Sequence, residues 1–216
     1  MDSGGFTELS THGCWTTTAR EYARDAKRIA DEVGRCVFAA QQDWMTEPWI
    51  LDRTGFNVRE HQRRTVDNLL ELRALQPSMR WLPVLQGWTL GDYLNHLEEF
   101  DRAGVDLREE VAVGIGSVCR RQRVTRPTHI AMILHAEGLR LHGFGIKVSG
   151  LRWMAPLLSS ADSMAWSFAA RKDAQAGRAP SNARNSFSHA LVWRDNILSQ
   201  LYASDEYRMR YQVEVV

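Results

Sequence analysis

The feature that most constrains this chain is a repeat: a short apolar run ends in Gly, Ser, Asp or Gln, and an amphipathic helix follows. Cys36-Val37-Phe38-Ala39-Ala40 leads into Gln41-Gln42-Asp43-Trp44, and Trp81-Leu82-Pro83-Val84-Leu85 into Gln86-Gly87-Trp88. Val111-Ala112-Val113 leads into Gly114-Ile115-Gly116-Ser117, and Leu139-Arg140-Leu141-His142 into Gly143-Phe144-Gly145. Ser163-Met164-Ala165-Trp166 reads as a last short run. Between them, apolar spacing predicts helices from Thr18 to Val33, Val58 to Leu75, Leu90 to Ala103 and Thr128 to Glu137. Gly34, Pro77, Gly104 and Gly138 supply the stops. Leu151 to Leu158 is a shorter helix, and residues 186–202 a final one.

Strand, polar loop and helix in repetition mean parallel strands with crossover helices. In a closed barrel the strand ends form one face, where catalytic groups gather. The competing architecture, an open doubly wound sheet, carries a Gly-rich phosphate turn; Gly114/Gly116 and Gly143/Gly145 lack its third glycine. The chain of 216 residues suffices for one core. The expectation is a single domain over 1–216: an α/β, (β/α)8 TIM-barrel-like fold with a C-terminal helical segment at about 185–203.

The 27 Lys+Arg against 26 Asp+Glu exclude a blanket of positive charge but not a local basic groove. Cys14, Cys36 and Cys119 form no CxxC pair, and such scattered thiols suit a reducing compartment. No signal segment and no spanning apolar run is present, so a cytoplasmic protein without membrane contact is expected. The 8 Trp serve core packing or base stacking.

The chain opens with Asp2-Ser3-Gly4-Gly5-Phe6. A Gly-Gly pair lets backbone approach a ligand closely and Asp offers an acceptor or base; the same residues also make an ordinary turn. This string resembles the signature of tRNA-guanine transglycosylases and of relatives that insert deazaguanines into DNA. The later strand ends follow in that family's order. Gln42-Asp43 resembles its base-gripping loop, Leu85-Gln86-Gly87 its Gln-Gly loop, and Gly114-Ile115-Gly116-Ser117 its Gly-Gly loop. His142-Gly143-Phe144-Gly145 resembles the strand before the nucleophile. With Gln41-Asp43-Met45 and Cys119-Arg120-Arg121-Gln122, the pattern is most similar to the actinobacterial and phage branch.

The resemblance implies a base exchange in which guanine in DNA or tRNA is replaced by a 7-deazaguanine through a covalent carboxylate–sugar intermediate, with no cofactor. Asp162 is then the nucleophile and Asp2 the general acid/base. Ser3, Gly4, Asp43, Gln86, Gly87, Gly114 and Gly116 hold the base. Read from the residues alone, the Arg-rich run Val118 to Arg123, with Arg120 and Arg121, either pairs with phosphates or is a solvated loop. The family strand runs roughly Val-Asp-x-Phe-Asp, whereas this chain reads Ala161-Asp162-Ser163-Met164-Ala165, with Ala165 at the usual nucleophile position. Asp162 therefore either has taken over as nucleophile or is a cap or ion-pair partner, and His142 and His61 read as ordinary core or helix-surface histidines. The family's zinc site needs three Cys and a His, but residues 180–189 contain no Cys, so no metal is expected. A homodimer is a further candidate assembly. The Asp-Ser-Gly-Gly loop follows Met1 directly, so the barrel is expected to lack its first one or two strands, with about five of eight present. A misplaced start accounts for this most simply; a catalytically inactive, truncated remnant or binding module is the alternative, and a sugar or nucleotide hydrolase on the same fold a weaker one.

Overall fold

A computed structural model describes residues 1–118, 125–146, 148–163, 165–178, 180 and 182–202. In chain order it contains α1 (Gly5–His12), α2 (Ala19–Val33), β1 (Ala39–Ala40), α3 (Pro48–Thr54), α4 (Val58–Leu75), β2 (Trp81–Leu82), β3 (Val84–Leu85) and α5 (Leu90–Arg102). There follow β4 (Val113–Ile115), α6 (Thr125–Ala136), β5 (Leu141–Gly143), α7 (Val148–Met154), β6 (Leu158–Ala161), α8 (Ala165–Gln175) and α9 (Phe187–Tyr202).

The helix boundaries have local causes. Thr18 caps α2 by accepting the Glu21 N–H at 3.3 Å, while the Glu21 carboxylate accepts the Thr18 N–H at 3.0 Å. Two otherwise orphaned donors are thereby satisfied. Thr89 and Asp92 repeat the arrangement on α5, and Asn57 caps α4. Gly34 ends α2 at φ 69°, a conformation open to glycine without a Cβ clash.

Every strand pair is parallel: β1 pairs with β2, and β3-β4-β5-β6 form a four-stranded sheet. Pro83 divides what the sequence reads as one strand. It has no N–H to donate, but its carbonyl accepts the Gly114 N–H at 2.8 Å. The Gln41 amide bridges the break, accepting the Val84 N–H at 3.3 Å and donating to the Thr65 carbonyl at 2.6 Å. On the outer edge of β1, the Met1 amino group donates to the Phe38 carbonyl at 2.9 Å and the Met1 carbonyl accepts the Ala40 N–H at 2.8 Å. This is a parallel-ladder pattern, and it puts Asp2 level with the strand ends.

Alternation along the strands separates two cores. Ala39, Trp81, Leu85, Val113 and Leu141 pack outward against α2, α4, α5 and α6 through Ala26, Leu69, Phe100 and Leu134. Ala40, Leu82 and Ala112 face inward with Phe38 and Phe144. The sheet curls around this inner face. The rings of Phe38, next to β1, and His142, on β5, have centroids 5.3 Å apart. Three strand spacings laid flat would separate them by about 14 Å.

Two strand expectations need correction. Ser163, Ala165 and Trp166, expected in a strand, are not in one: Ala165 and Trp166 open α8, with the Ser163 hydroxyl accepting the Ala165 N–H at 3.2 Å. The strand there is β6, Leu158-Ser159-Ser160-Ala161, too polar and too exposed to register as an apolar run. The strand expected at Val111–Val113 is β4, displaced to Val113–Ile115, so Gly114 lies within it. The unanticipated α3 carries Pro48 at its start and Gly55 after its end, an asymmetry readable in the sequence. No helix among the described residues is long and apolar enough to cross a membrane.

Candidate active site at the strand ends

Parallel strands put all their C-terminal ends on one side, and there the chain encloses a cavity of about 470 Å³. That volume lies in the range of small-ligand sites. Five of the strands contribute the residues just past their ends: Asp43 and Met45 after β1, with Asp2 and Ser3 beside it, Gln86 after β3, Gly116 and Ser117 after β4, Phe144 and Gly145 after β5, Asp162 and Ser163 after β6. Phe6 from α1, with Ala165, Phe168 and Arg171 from α8, complete much of the wall.

Asp43 stands at the centre of a buried polar chain. One carboxylate oxygen accepts from the Gln86 side-chain amide and the other from the Ser3 hydroxyl at 3.4 Å. Burial pushes its carboxyl up to about 7; the Gln86 hydrogen bond opposes the rise and neighbouring Asp2 adds to it. The folded protein therefore holds this proton more tightly than the unfolded chain, whose carboxyl keeps the ordinary value of 3.8. Stability contributed by the protonated form is fully present below about 4 and is lost as pH rises through about 7. Asp43→Asn removes that loss. Its melting temperature relative to the parent is expected to be higher at pH 8 than at pH 5; an equal offset at both pH values in thermal melts would contradict the assignment.

Gln86 is fixed at every polar atom. Its N–H donates to His96 Nδ1 at 2.8 Å, and its carbonyl accepts from Gln62 Nε2 at 2.7 Å. Burial lowers His96 to about 3, against the effect of its backbone hydrogen bonds, so the ring is neutral and Nδ1 keeps its lone pair. Gln86 Oε1 accepts from the Ser117 hydroxyl, 2.7 Å away. That hydroxyl also accepts the Thr46 N–H at 3.0 Å and lies 2.8 Å from a Glu47 carboxylate oxygen. Ser117 has φ 53°, unusual for a residue with a side chain. The amide is thus held with its NH2 toward Asp43, and an incoming edge meets a fixed donor–acceptor pattern.

Gly116 makes this packing feasible. A Cβ there would lie 2.0 Å from Gln86 Nε2 and 2.4 Å from its Cδ. Gly116→Ala must expel the Gln86 side chain from its contact with Asp43. The expected result is a fold that survives, destabilised by about 1–3 kcal/mol, with affinity for a ligand that meets the Gln86 amide weakened at least about tenfold in calorimetric titration. Unchanged affinity would show that Gln86 takes no part in binding.

Asp162 follows β6. Its carboxylate accepts the Gly145 N–H, and His142 Nε2 lies 3.9 Å away. Burial works to raise its pKa, but His142, the Gly145 N–H and the distant Met1 amino group outweigh it, and the net displacement is downward. The His142 ring is in turn held by Ser160 Oγ at 2.8 Å from Nδ1. Asp162 is therefore an anion at neutral pH, partly open to the cavity, as a nucleophilic carboxylate requires.

The structure brings Asp2, Ser3, Asp43, Gln86, Gly116 and Asp162 to one cavity. Three glycines expected to hold the base stand outside its wall. Gly4 is the left-handed residue that starts α1. Gly87 abuts α5, where a Cβ would lie 2.8 Å from Tyr93 Cδ2. Gly114 abuts the Phe144 ring, 2.4 Å from a Cβ position. Arg120 and Arg121 lie outside the described residues. Phe6, Phe144 and Ser117 sit inside motifs that sequence reasoning had singled out, yet their place in the wall follows from the curl of the sheet; nothing in the sequence marked Phe168 or Arg171. Among the described residues no group of three or more His, Cys, Asp or Glu is arranged to hold a metal.

A family model described as DpdA, DeoxyPurine in DNA protein A, matches residues 1–213. A search of curated proteins finds no match.

Proposed function

This chain belongs to the DpdA family, a tRNA-guanine transglycosylase-like family, and we propose that it exchanges guanine in DNA for a 7-deazaguanine through a covalent sugar–enzyme intermediate. The observation that carries the reading is the meeting of three strand-end carboxylates, Asp2, Asp43 and Asp162, with the fixed Gln86 amide around one cavity. The parallel strands, the helices on their outer face and the curl that joins Phe38 to His142 support a (β/α) barrel as the scaffold.

In this reading the target nucleotide leaves the stack and its guanine enters the cavity. Phe6, Met45 and Phe144 offer apolar surface for its faces, while Asp43 and Gln86 meet its polar edge. An Asp162 carboxylate oxygen bonds to the sugar C1′ as the C1′–N9 bond breaks, and the bonding pair leaves with guanine, which takes a proton from Asp2. The incoming deazaguanine returns a proton to Asp2 as its N9 displaces Asp162 from C1′. Atoms and charge balance over the two steps, and no redox partner is required.

The test mixes the protein with guanine-containing single-stranded DNA, without an incoming base, and resolves the products by denaturing electrophoresis. A DNA–protein adduct that free guanine reverses is expected. An adduct formed with tRNA alone would move the substrate to RNA, and none with either would remove the covalent step.

A further inference from the structure

We infer that the exposed face of α8 formed by Phe168, Arg171 and Lys172 is the binding surface for the DNA strand beside the target nucleotide, with the two cations on its phosphates and the ring on a flanking base. The inference rests on the proposed DNA exchange and assigns the strand contacts to particular residues.

The three residues share one helical face by their i, i+3, i+4 spacing. Phe168 is 55% exposed. Arg171 Cζ lies 5.8 Å, and Lys172 Nζ 4.8 Å, from the Phe168 ring centroid. A large ring left in solvent between two cations is a platform for a π-face and a phosphate together, the combination that tracks unpaired strands. No carboxylate among the described residues forms an ion pair with Arg171 or Lys172; the nearby Asp173 is taken by Arg178 at 2.7 Å. Both charges are therefore available to a ligand.

Position ties this face to the cavity. Phe168 and Arg171 belong to the cavity wall, and α8 starts three residues after Asp162. Among the described lining residues Arg171 is the sole cationic side chain, set against Asp2, Asp43 and Asp162. A neutral base gives a cation at this mouth no partner. A nucleotide whose base is inside and whose sugar is at Asp162 has phosphates outside, where α8 stands. Continuity with the cavity and charge complementarity thus favour a polyanionic strand over a protein partner.

The test measures anisotropy of a labelled single-stranded DNA with one central guanine across a salt series. Arg171→Gln with Lys172→Gln should flatten the slope of log affinity against log salt by about 1.4, two phosphates at roughly 0.7 each. Phe168→Ala should weaken binding by about 5- to 150-fold. The charge-keeping pair Arg171→Lys with Lys172→Arg should retain the parental slope, which a loss of folding would not. An unchanged slope in the Gln pair, with the parent binding normally, overturns this inference alone. A parent that binds no DNA overturns the proposed exchange and this inference together.

Discussion

Asp162→Asn is expected to lower exchange of labelled guanine into DNA by on the order of 10⁴-fold or more, the scale of losing a nucleophile. An amide cannot form the ester to C1′ that splits the reaction into two easier displacements. The substitution is nearly isosteric, and an amide oxygen can still accept the Gly145 N–H that Asp162 accepts. The cavity and the Gln86–Asp43 hydrogen bond therefore remain. Guanine affinity should stay within a few-fold of the parent while the chemical step disappears, a loss made in the transition state. The alternative role for Asp162, a cap or ion-pair partner of His142, predicts the reverse: lower stability and near-normal exchange. Ala165 occupies the position where the related pattern carries its nucleophile, but it opens α8 and has no reactive group. The carboxylate that follows β6 is Asp162.

Asp2→Asn should slow exchange by about 10²–10⁴-fold if Asp2 moves the proton of the departing and arriving bases. Asp2 lines the same cavity and stands close enough to raise the pKa of Asp43 by charge. Its position follows from Met1, whose two backbone hydrogen bonds dock it beside β1. The adduct should still be detectable with Asp2→Asn, because attack by Asp162 does not need Asp2 to be ionised. Slow formation and slow reversal of a detectable adduct separate a proton-transfer role from a nucleophilic one. A variant with parental rates would assign Asp2 to the turn that starts α1.

Much of the scaffold was legible in the sequence. Helices α2, α4, α5 and α9 follow from apolar spacing and from stops such as Gly34 and Gly104. The polar residues after each apolar run proved to be neighbours in space because parallel strands end on one side. Where the sequence misled, a competing effect explains it. β6 is Leu-Ser-Ser-Ala, so its strand character comes from pairing with β5 rather than from an apolar pattern. Ala165 and Trp166, apolar residues after Asp162, open α8, and the Ser163 hydroxyl accepts the Ala165 N–H beside that start. Gly87 and Gly114 look like backbone approaches to a ligand, yet each makes room for a neighbouring side chain. The orientation of the Gln86 amide was unreadable, since His96 and Gln62 fix its backbone while Ser117 and Asp43 fix the side chain, and these four residues come from separate loops and helices.

The central claim is that this cavity replaces guanine in DNA by a deazaguanine through Asp162. It is tested most directly by incubating the protein with guanine-containing DNA and a 7-deazaguanine, digesting the DNA to nucleosides and analysing them by mass spectrometry. The account predicts the deazaguanine deoxynucleoside in DNA treated with the parent protein and its absence with Asp162→Asn. Equal incorporation by the two proteins, or none by a folded parent that binds both DNA and base, would contradict it.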